Sequence, residues 1–395
     1  MTGNPLAGPL PGALRVLVLD HTAEPGGAEL ALVRLCAALG PDVSVRAVLF
    51  TDGPLRPALE AVGVPVDVVE LDPGVAGLDR RAALRAGPDV LRRVLRTTGF
   101  LVRVARHLRR LRPDVVHTTS LKADLLGTMA CLLTGRRLVW YVHDRIAADY
   151  LPRPLVGLVR AASRVPRAVI ANSAATARTL PRRSVVAYPG FSADQVAPRG
   201  AGAPSGAPVV GIIGRISPTK GQLELVRTIP ELLARYPGLT VRIVGGVMFG
   251  AEDYDRLVRA EASRLGVAQH VEWTGHVERT ADELDRLDVC VHASPLPEPF
   301  GQVVVEAMVR EVPVVATRAG GVTEILSRPD GDLGVLVEPG DVRALRAGIL
   351  SVLDDRAAAV VRARRARVDA LERFSVEQTA AVVSDVWRRA AGRRR

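Results

Sequence analysis

Apolar runs of four to eight residues recur along this chain, most running out into glycine, histidine or a carboxylate and then into a helical segment. Runs at 14–20, 43–50, 66–71, 114–117, 138–142, 168–171 and 185–188 form one series; runs at 209–213, 240–244, 271–277, 289–292, 312–316 and 334–337 form a second. Nearly continuous apolar runs are what a parallel strand covered on both faces requires, because both sides of the pleat are dry. Residues 189–208, dominated by Gly, Pro, Ser and Ala, separate the two series and read as a linker. The pattern predicts an α/β chain with one parallel sheet in 1–188 and another in 209–374. A last helix, 376–390, follows a break at Phe374-Ser375 and is expected to pack back on the first domain. With 395 residues there is enough chain for two separate cores.

The stretch from Ser294 to Met308 concentrates the chemistry. A strand ends near Ala293, a Pro-rich turn follows, and Gly301 opens a helix near Gln302. Glu298 lies in the turn and Glu306 in the second turn of the helix. A helix N-terminus with its partial positive charge suits phosphate oxygens, while carboxylates suit hydroxyls on either side of a phosphate. That combination describes a sugar, a diphosphate and a ribose. Arg215 and Lys220 follow the strand 209–213 directly and form a second candidate clamp for a diphosphate. The chain has only two lysines, Lys122 and Lys220, among 53 basic residues, so position 220 calls for an ammonium in particular. In the first half, Gly26-Gly27 sits between strand and helix, and His143-Asp144-Arg145 lies at the carboxyl end of the run 138–142, where open α/β sheets bind ligands. Asp253-Tyr254-Asp255 is a DxD by letters alone, on a helix rather than a strand-end loop. Neither GxGxxG nor a Walker A pattern occurs, which weighs against dinucleotide and ATP-hydrolysing readings.

Taken together, Gly26-Gly27, His143-Asp144, Gly214-Arg215, Lys220-Gly221, the Glu298-to-Glu306 pair and Gly320-Gly321 with Glu324 resemble the GT-B glycosyltransferases of family GT4, which are retaining and metal-independent. The resemblance spans nearly the whole chain. It implies two Rossmann-like domains with parallel sheets facing an interdomain cleft, the first on the acceptor side and the second binding the donor. Arg215 and Lys220 would hold the donor diphosphate, Glu298 would lie by the donor sugar and His143 by the reacting sugar. Donor contacts would come from Gly27, Gly214, Phe300, Gly301, Gln302, Val303 and Glu306, the last on the ribose, with Gly275 and His276 bordering the base. Lys122, Asp144 and Arg145 are the acceptor-side candidates. No cofactor and no metal is implied; a UDP- or GDP-linked sugar is the co-substrate. Where the family usually has Glu-Gly-Phe-Gly, this chain has Glu298-Pro299-Phe300-Gly301, and Pro299 removes one backbone N–H.

The expected reaction is transfer of a hexose-type sugar to an acceptor hydroxyl on a lipid-linked, cell-envelope or natural-product molecule. A carboxylate on the far side of the sugar, as double displacement needs, is not evident, so retention would come from front-face attack. A hydrolase reading leaves Arg215 and Lys220 unexplained; a catalytically inactive sugar-nucleotide-binding protein is the alternative. Residues 1–200 carry 27 basic against 16 acidic residues, and the remainder 26 against 26, so the whole net charge of +11 lies in the first half. That asymmetry points to an anionic lipid or membrane surface. Nucleic acid is disfavoured, since aromatics at 4% are too sparse for stacking platforms. A long helix at 78–111, broken near Gly87-Pro88, sets Leu91, Val94, Leu101 and Leu108 against a row of arginines and reads first as a solvated face, second as a membrane-surface face. No apolar run reaches the roughly 18 residues of a membrane span, and 1–12 lacks the layout of a secretory signal. The expectation is a cytoplasmic protein, with peripheral attachment at the inner face of the membrane as the second reading. Cys36, Cys131 and Cys290 lie apart in apolar segments and read as buried thiols.

Overall fold

A computed structural model describes residues 12–72, 90–196, 206–248 and 250–392, with side chains throughout except at 90–95. Contacts divide the chain into two units, Met1–Gly190 with Val376–Arg395, and Phe191–Ser375.

The first unit runs β1 (Leu14–Asp20), α1 (Gly27–Ala37), β2 (Val43–Leu49), α2 (Leu55–Ala61), β3 (Val66–Val68), α3 (Val90–Leu111), β4 (Val115–Thr118), α4 (Leu121–Thr134), β5 (Leu138–Val142), α5 (Arg153–Ala162), β6 (Ala168–Ala171), α6 (Ala174–Ala177) and β7 (Val185–Val186). Its strands pair in parallel in the order β3-β2-β1-β4-β5-β6-β7. Alternate residues of β1 serve opposite faces: Leu17 and Leu19 join Phe100, Val104 and Leu108 of α3, whereas Val16 and Val18 join Leu32 and Leu35 of α1 and Leu55 of α2. Both faces being covered accounts for the unbroken apolar lettering of the strand.

The apolar side of α3 therefore belongs to the core, with Phe100, Val104 and Leu108 at most 1% exposed. From Phe100 to Leu108 that side is taken up by the sheet and not by a membrane, while Arg103, Arg106, Arg109 and Arg110 are exposed. The segment expected to be helical before Val90 lies outside the described residues.

The second unit runs β8 (Val209–Ile213), α7 (Gln222–Arg235), β9 (Thr240–Val244), α8 (Glu252–Arg264), β10 (Val271–Gly275), α9 (Thr280–Leu284), β11 (Val289–His292), α10 (Gln302–Val309), β12 (Val314–Thr317), α11 (Gly321–Leu326), β13 (Val335–Val337), α12 (Val342–Asp354) and α13 (Arg356–Arg373). Its strands are parallel in the order β10-β9-β8-β11-β12-β13. Val210, Ile212, Val289 and Val291 meet Leu225, Ile229 and Leu232 of α7 in its core. The last helix, α14 (Val376–Ala390), is part of the first unit: the Trp387 indole N–H donates to His117 Nδ1 at 3.1 Å and the Thr379 hydroxyl to the Tyr188 carbonyl at 2.7 Å.

The stretch read as a linker is not all linker. The Phe191 N–H donates to the Phe374 carbonyl at 3.0 Å and Arg367 Nη1 to the Val196 carbonyl at 3.0 Å, so Phe191–Val196 is built into the second unit. Residues 197–205 lie outside the described residues. In both sheets the strand order reverses once in the interior, between β1 and β4 and between β8 and β11; the crevice beyond the carboxyl ends at such a switch point is where open α/β sheets bind ligands.

All three cysteines are buried, and burial pushes each thiol up to about 12. Among the described residues no helix is long and apolar enough to cross a membrane.

Candidate active site

At the β8/β11 switch point the backbone comes first. The Gly214 N–H donates to the Val244 carbonyl and the Gly245 N–H to the Gly275 carbonyl, which ties the ends of β8, β9 and β10 together. Gly275 has φ 70 and Gly214 φ 150, so these exits follow backbone paths open mainly to glycine. Beyond Gly214, Arg215 is exposed, and a turn closed by the Lys220 N–H on the Ser217 carbonyl at 2.9 Å leads into α7. Lys220 is thereby delivered to the end of β11, where its Nζ lies 2.6 Å from Glu298 Oε1.

Glu298 is held from several sides. Ser294 Oγ donates to its Oε2 at 3.1 Å, and His292 Nε2 lies 3.6 Å from the same oxygen. Burial alone would raise this carboxyl; the Lys220 ammonium and His292 overturn that and hold it well below the usual carboxylate range. The turn itself lies against the β12–α11 connection, because the Gly321 N–H donates to the Glu298 carbonyl at 2.9 Å. A Cβ at Gly321 would come within 2.6 Å of Phe300 Cα, so that connection has to be glycine. Gly301, at φ 106, opens α10, and Gln302 and Val303 form its half-buried first turn. Phe300 is 3% exposed and its ring packs on Phe374, so any part it has at the site runs through its backbone. Glu306 accepts from Thr280 Oγ1 at 3.0 Å and from Gln195 Nε2 at 3.3 Å. His276 is exposed just past Gly275, next to Gly246.

At the β1/β4 switch point of the first unit, Asp20 is fully buried and accepts from Thr119 Oγ1 at 2.6 Å, and His21 Nδ1 lies 2.7 Å from Ser120 Oγ. Gly26-Gly27 opens α1. The Gly26 N–H donates to Glu29 Oε2 at 3.0 Å, and a Cβ on Gly26 would sit 2.6 Å from that oxygen. His143 lies against Tyr141 with ring centroids 4.1 Å apart and planes tilted by 41°, and its carbonyl accepts from Asn172 Nδ2 at 3.2 Å. Burial pushes the His143 imidazole down to about 4 despite Asp144 and Asp20 pulling the other way, so it is neutral near pH 7. Asp144 accepts from the Tyr150 hydroxyl at 3.0 Å, Arg145 is paired with Asp149 at 2.9 Å, and Lys122 is half-buried in the first turn of α4.

Two family models cover most of the chain: "Glycosyltransferase Family 4" over residues 25–192 and "Glycosyl transferases group 1" over residues 207–355. A D-inositol 3-phosphate glycosyltransferase 2 of Catenulispora acidiphila is 30% identical over 409 aligned positions, covering 93% of this chain and 91% of that protein. The chain belongs to glycosyltransferase family 4. A GDP-mannose-dependent alpha-(1-6)-phosphatidylinositol monomannoside mannosyltransferase of Mycolicibacterium smegmatis is 36% identical to it over 39% of this chain and 41% of that one. The crystal structure of Anabaena HepE in complex with UDP-glucose superposes with a TM-score of 0.80 at 27% identity, covering 94% of this chain and 98% of that one. Both units thus have the GT-B architecture that the resemblance implied, and the chain is a glycosyltransferase.

In this family 4 enzyme the structure brings Lys220 and Glu298 into direct contact, sets Glu306 on the helix that Gly301 opens, and leaves Arg215 and His276 exposed. Sequence reasoning missed His292, Gln195, Thr280, Asp20 and Glu29. Asp20 and His292 each end an apolar strand, a position that was the available signal; Gln195 had none.

Glu29 makes a pH prediction for this glycosyltransferase. Burial, and next the charge of Asp20, push its carboxyl from 4.5 up to about 8, with Asp144 adding to the push and the Gly26 N–H opposing it. The folded chain then keeps a proton that the unfolded chain releases, so stability falls as pH rises from about 5 to about 8 and levels off above. Glu29→Gln removes that loss while leaving Gly26 a side-chain oxygen to donate to. The melting temperature of wild type relative to Glu29→Gln is expected to drop between pH 5 and pH 8.5; parallel curves would show that Glu29 ionises normally.

Proposed function

We propose that this glycosyltransferase moves a hexose-type sugar, with retention, from a UDP- or GDP-linked donor to an acceptor hydroxyl. The carrying observation is the Lys220–Glu298 contact at the β8/β11 switch point, on the loop that opens α10. In this reading Lys220, Arg215 and the N-terminus of α10 neutralise the departing diphosphate, so the charge that develops in the transition state meets fixed positive groups. Glu298, kept ionised, accepts from a donor-sugar hydroxyl; Glu306 accepts from the ribose; neutral His143 hydrogen-bonds the reacting sugar. The bond from the anomeric carbon to the phosphate oxygen breaks, the bond to the acceptor oxygen forms on the same face, and the acceptor proton leaves with the diphosphate. HepE, crystallised with UDP-glucose, supports a uridine donor, and the GDP-mannose-dependent relative supports a guanosine donor.

For the acceptor we infer an anionic molecule, either lipid-linked or a small polyol phosphate. Support comes from the basic first half and from α4, where Met129, Leu132 and Leu133 are 48%, 66% and 57% exposed at helical spacing, with Arg109 of α3 donating to the Leu133 carbonyl. Exposed apolar side chains beside an arginine suit an anionic bilayer surface.

A single assay tests the reading. Purified protein is given UDP-glucose or GDP-mannose, alone, with inositol phosphate, or with vesicles containing phosphatidylinositol, and nucleoside diphosphate release and product linkage are measured. Acceptor-dependent release with one donor, giving the donor's anomeric configuration, is expected. Release to water alone would make it a hydrolase, and donor binding without release would make it a sugar-nucleotide-binding protein. Turnover unaffected by vesicles removes the lipid part only.

A further inference from the structure

Glu306 is gripped by two residues that no motif marks. Thr280 Oγ1 donates to one carboxylate oxygen at 3.0 Å, from the first residue of α9, and Gln195 Nε2 reaches the other at 3.3 Å from the segment that enters the second unit. The Gln195 amide is itself oriented. Its Oε1 accepts from the Ser192 N–H at 3.1 Å, and since an N–H only donates, the amide oxygen must face Ser192 and the NH₂ must face Glu306. The backbone beneath it is pinned as well: Arg310, 6% exposed, donates to the Gln195 carbonyl at 3.2 Å while its fork engages both oxygens of Asp285. Arg310 caps the carboxyl end of α10, the same helix that carries Glu306 and whose N-terminus Gly301 opens. Holding a carboxylate at both oxygens removes its rotational freedom, which is how a binding group is kept within the small angular tolerance that a hydroxyl pair demands.

We propose that Gln195 and Thr280 are positioning residues that set the Glu306 carboxylate against the nucleotide ribose, and so determine how strongly the enzyme prefers ribonucleotides to deoxyribonucleotides. This rests on the reading of Glu306 as the ribose ligand. Both contact Glu306, the group read as the ribose ligand, so each is expected to act on the KM for the donor rather than on the chemical step.

The test is binding of UDP and of 2′-deoxy-UDP, and of GDP and 2′-deoxy-GDP, by calorimetry, to wild type, Glu306→Gln, Gln195→Met, Thr280→Val and Thr280→Ser. The ratio of ribo to deoxyribo affinity is expected to fall about tenfold, equivalent to roughly 1.4 kcal/mol, in Gln195→Met and in Thr280→Val. That fall should come from weaker binding of the ribonucleotide alone, and Thr280→Ser, which keeps the hydroxyl, should retain the wild-type ratio. A ratio unchanged in Glu306→Gln removes the ribose reading itself. If Glu306→Gln collapses the ratio while Gln195→Met and Thr280→Val keep it, the positioning role is overturned and the ribose reading stands. An equal loss for ribo and deoxyribo ligands in Gln195→Met also overturns it, since that is the mark of a general packing defect.

Discussion

Replacing Lys220 with alanine is expected to lower kcat about 10²- to 10³-fold, the usual cost of removing one fixed group that stabilises charge developing in the transition state. The ammonium has a local role too, and the two have to be separated. Its Nζ lies 2.6 Å from Glu298 Oε1, and burial by itself would push that carboxyl up. Without the ammonium, Glu298 is left in a site that is mostly dry, with His292 and Ser294 as its remaining partners. A carboxyl held below its ordinary value contributes stability that is present above about pH 4.5 and is lost as pH falls. In Lys220→Ala that contribution shrinks, so the variant should melt earlier than wild type at pH 7, and the gap should narrow only as pH falls below about 4.5 into the strongly acid range where the folded wild type protonates Glu298 as well. Lys220→Ala/Glu298→Gln removes the unpaired charge and should recover melting temperature without recovering turnover. Lys220→Arg is not expected to rescue, because a broad planar fork cannot occupy the position of a compact ammonium at the end of β11. Steady-state kinetics and thermal melts on the same preparations check this. Near-wild-type turnover in folded Lys220→Ala would sink the diphosphate role.

How much of this was legible follows from what sets each feature. Strands covered on both faces must be apolar at every position, so β1, β5 and β11 announced themselves, as did the glycines at the exits of β8, β9 and β10. Lys220, Glu298 and Glu306 were legible as candidates because a phosphate-and-hydroxyl site would call for those groups at a helix opening, and the fold does bring Lys220 to Glu298 and sets Glu306 on the helix that Gly301 opens. Gln195 was not legible. It lies in a Pro/Ser/Ala-rich stretch whose composition says linker, and its meaning depends on Arg310 and Ser192, which only the folded chain brings to it. Glu29 was hidden for a related reason: its N3 position reads as an ordinary helix start, and the raised carboxyl comes from burial and from Asp20, nine residues upstream on another element. The long amphipathic helix misled in its second reading, since amphipathicity fixes that one face is covered but not by what; in α3 the cover is the sheet of the first unit.

Gly221→Ala is expected to be among the most damaging single methyls in the second unit. Gly221 precedes α7 with φ 85, and a Cβ there would fall inside the Ala293 carbonyl at the exit of β11. Two costs add: about 1 kcal/mol or more for placing an L-residue in the left-handed region, and a collision with backbone that has no soft side-chain end to yield. The carbonyl cannot retreat freely, because β11 is paired with β8 on one side and β12 on the other. Gly266→Ala isolates the first cost, since Gly266 has φ 68 and its Cβ would meet nothing within 4 Å. Gly266→Ala should melt slightly below wild type, and Gly221→Ala should lose about 3 kcal/mol or more, with turnover lost alongside because the close approach of α7 to β11 is what holds Lys220 within reach of Glu298. Equal melting of the two variants would mean that the end of β11 can give way. The 2.6 Å contact would then rest on the attraction between the two charges rather than on the backbone that delivers them.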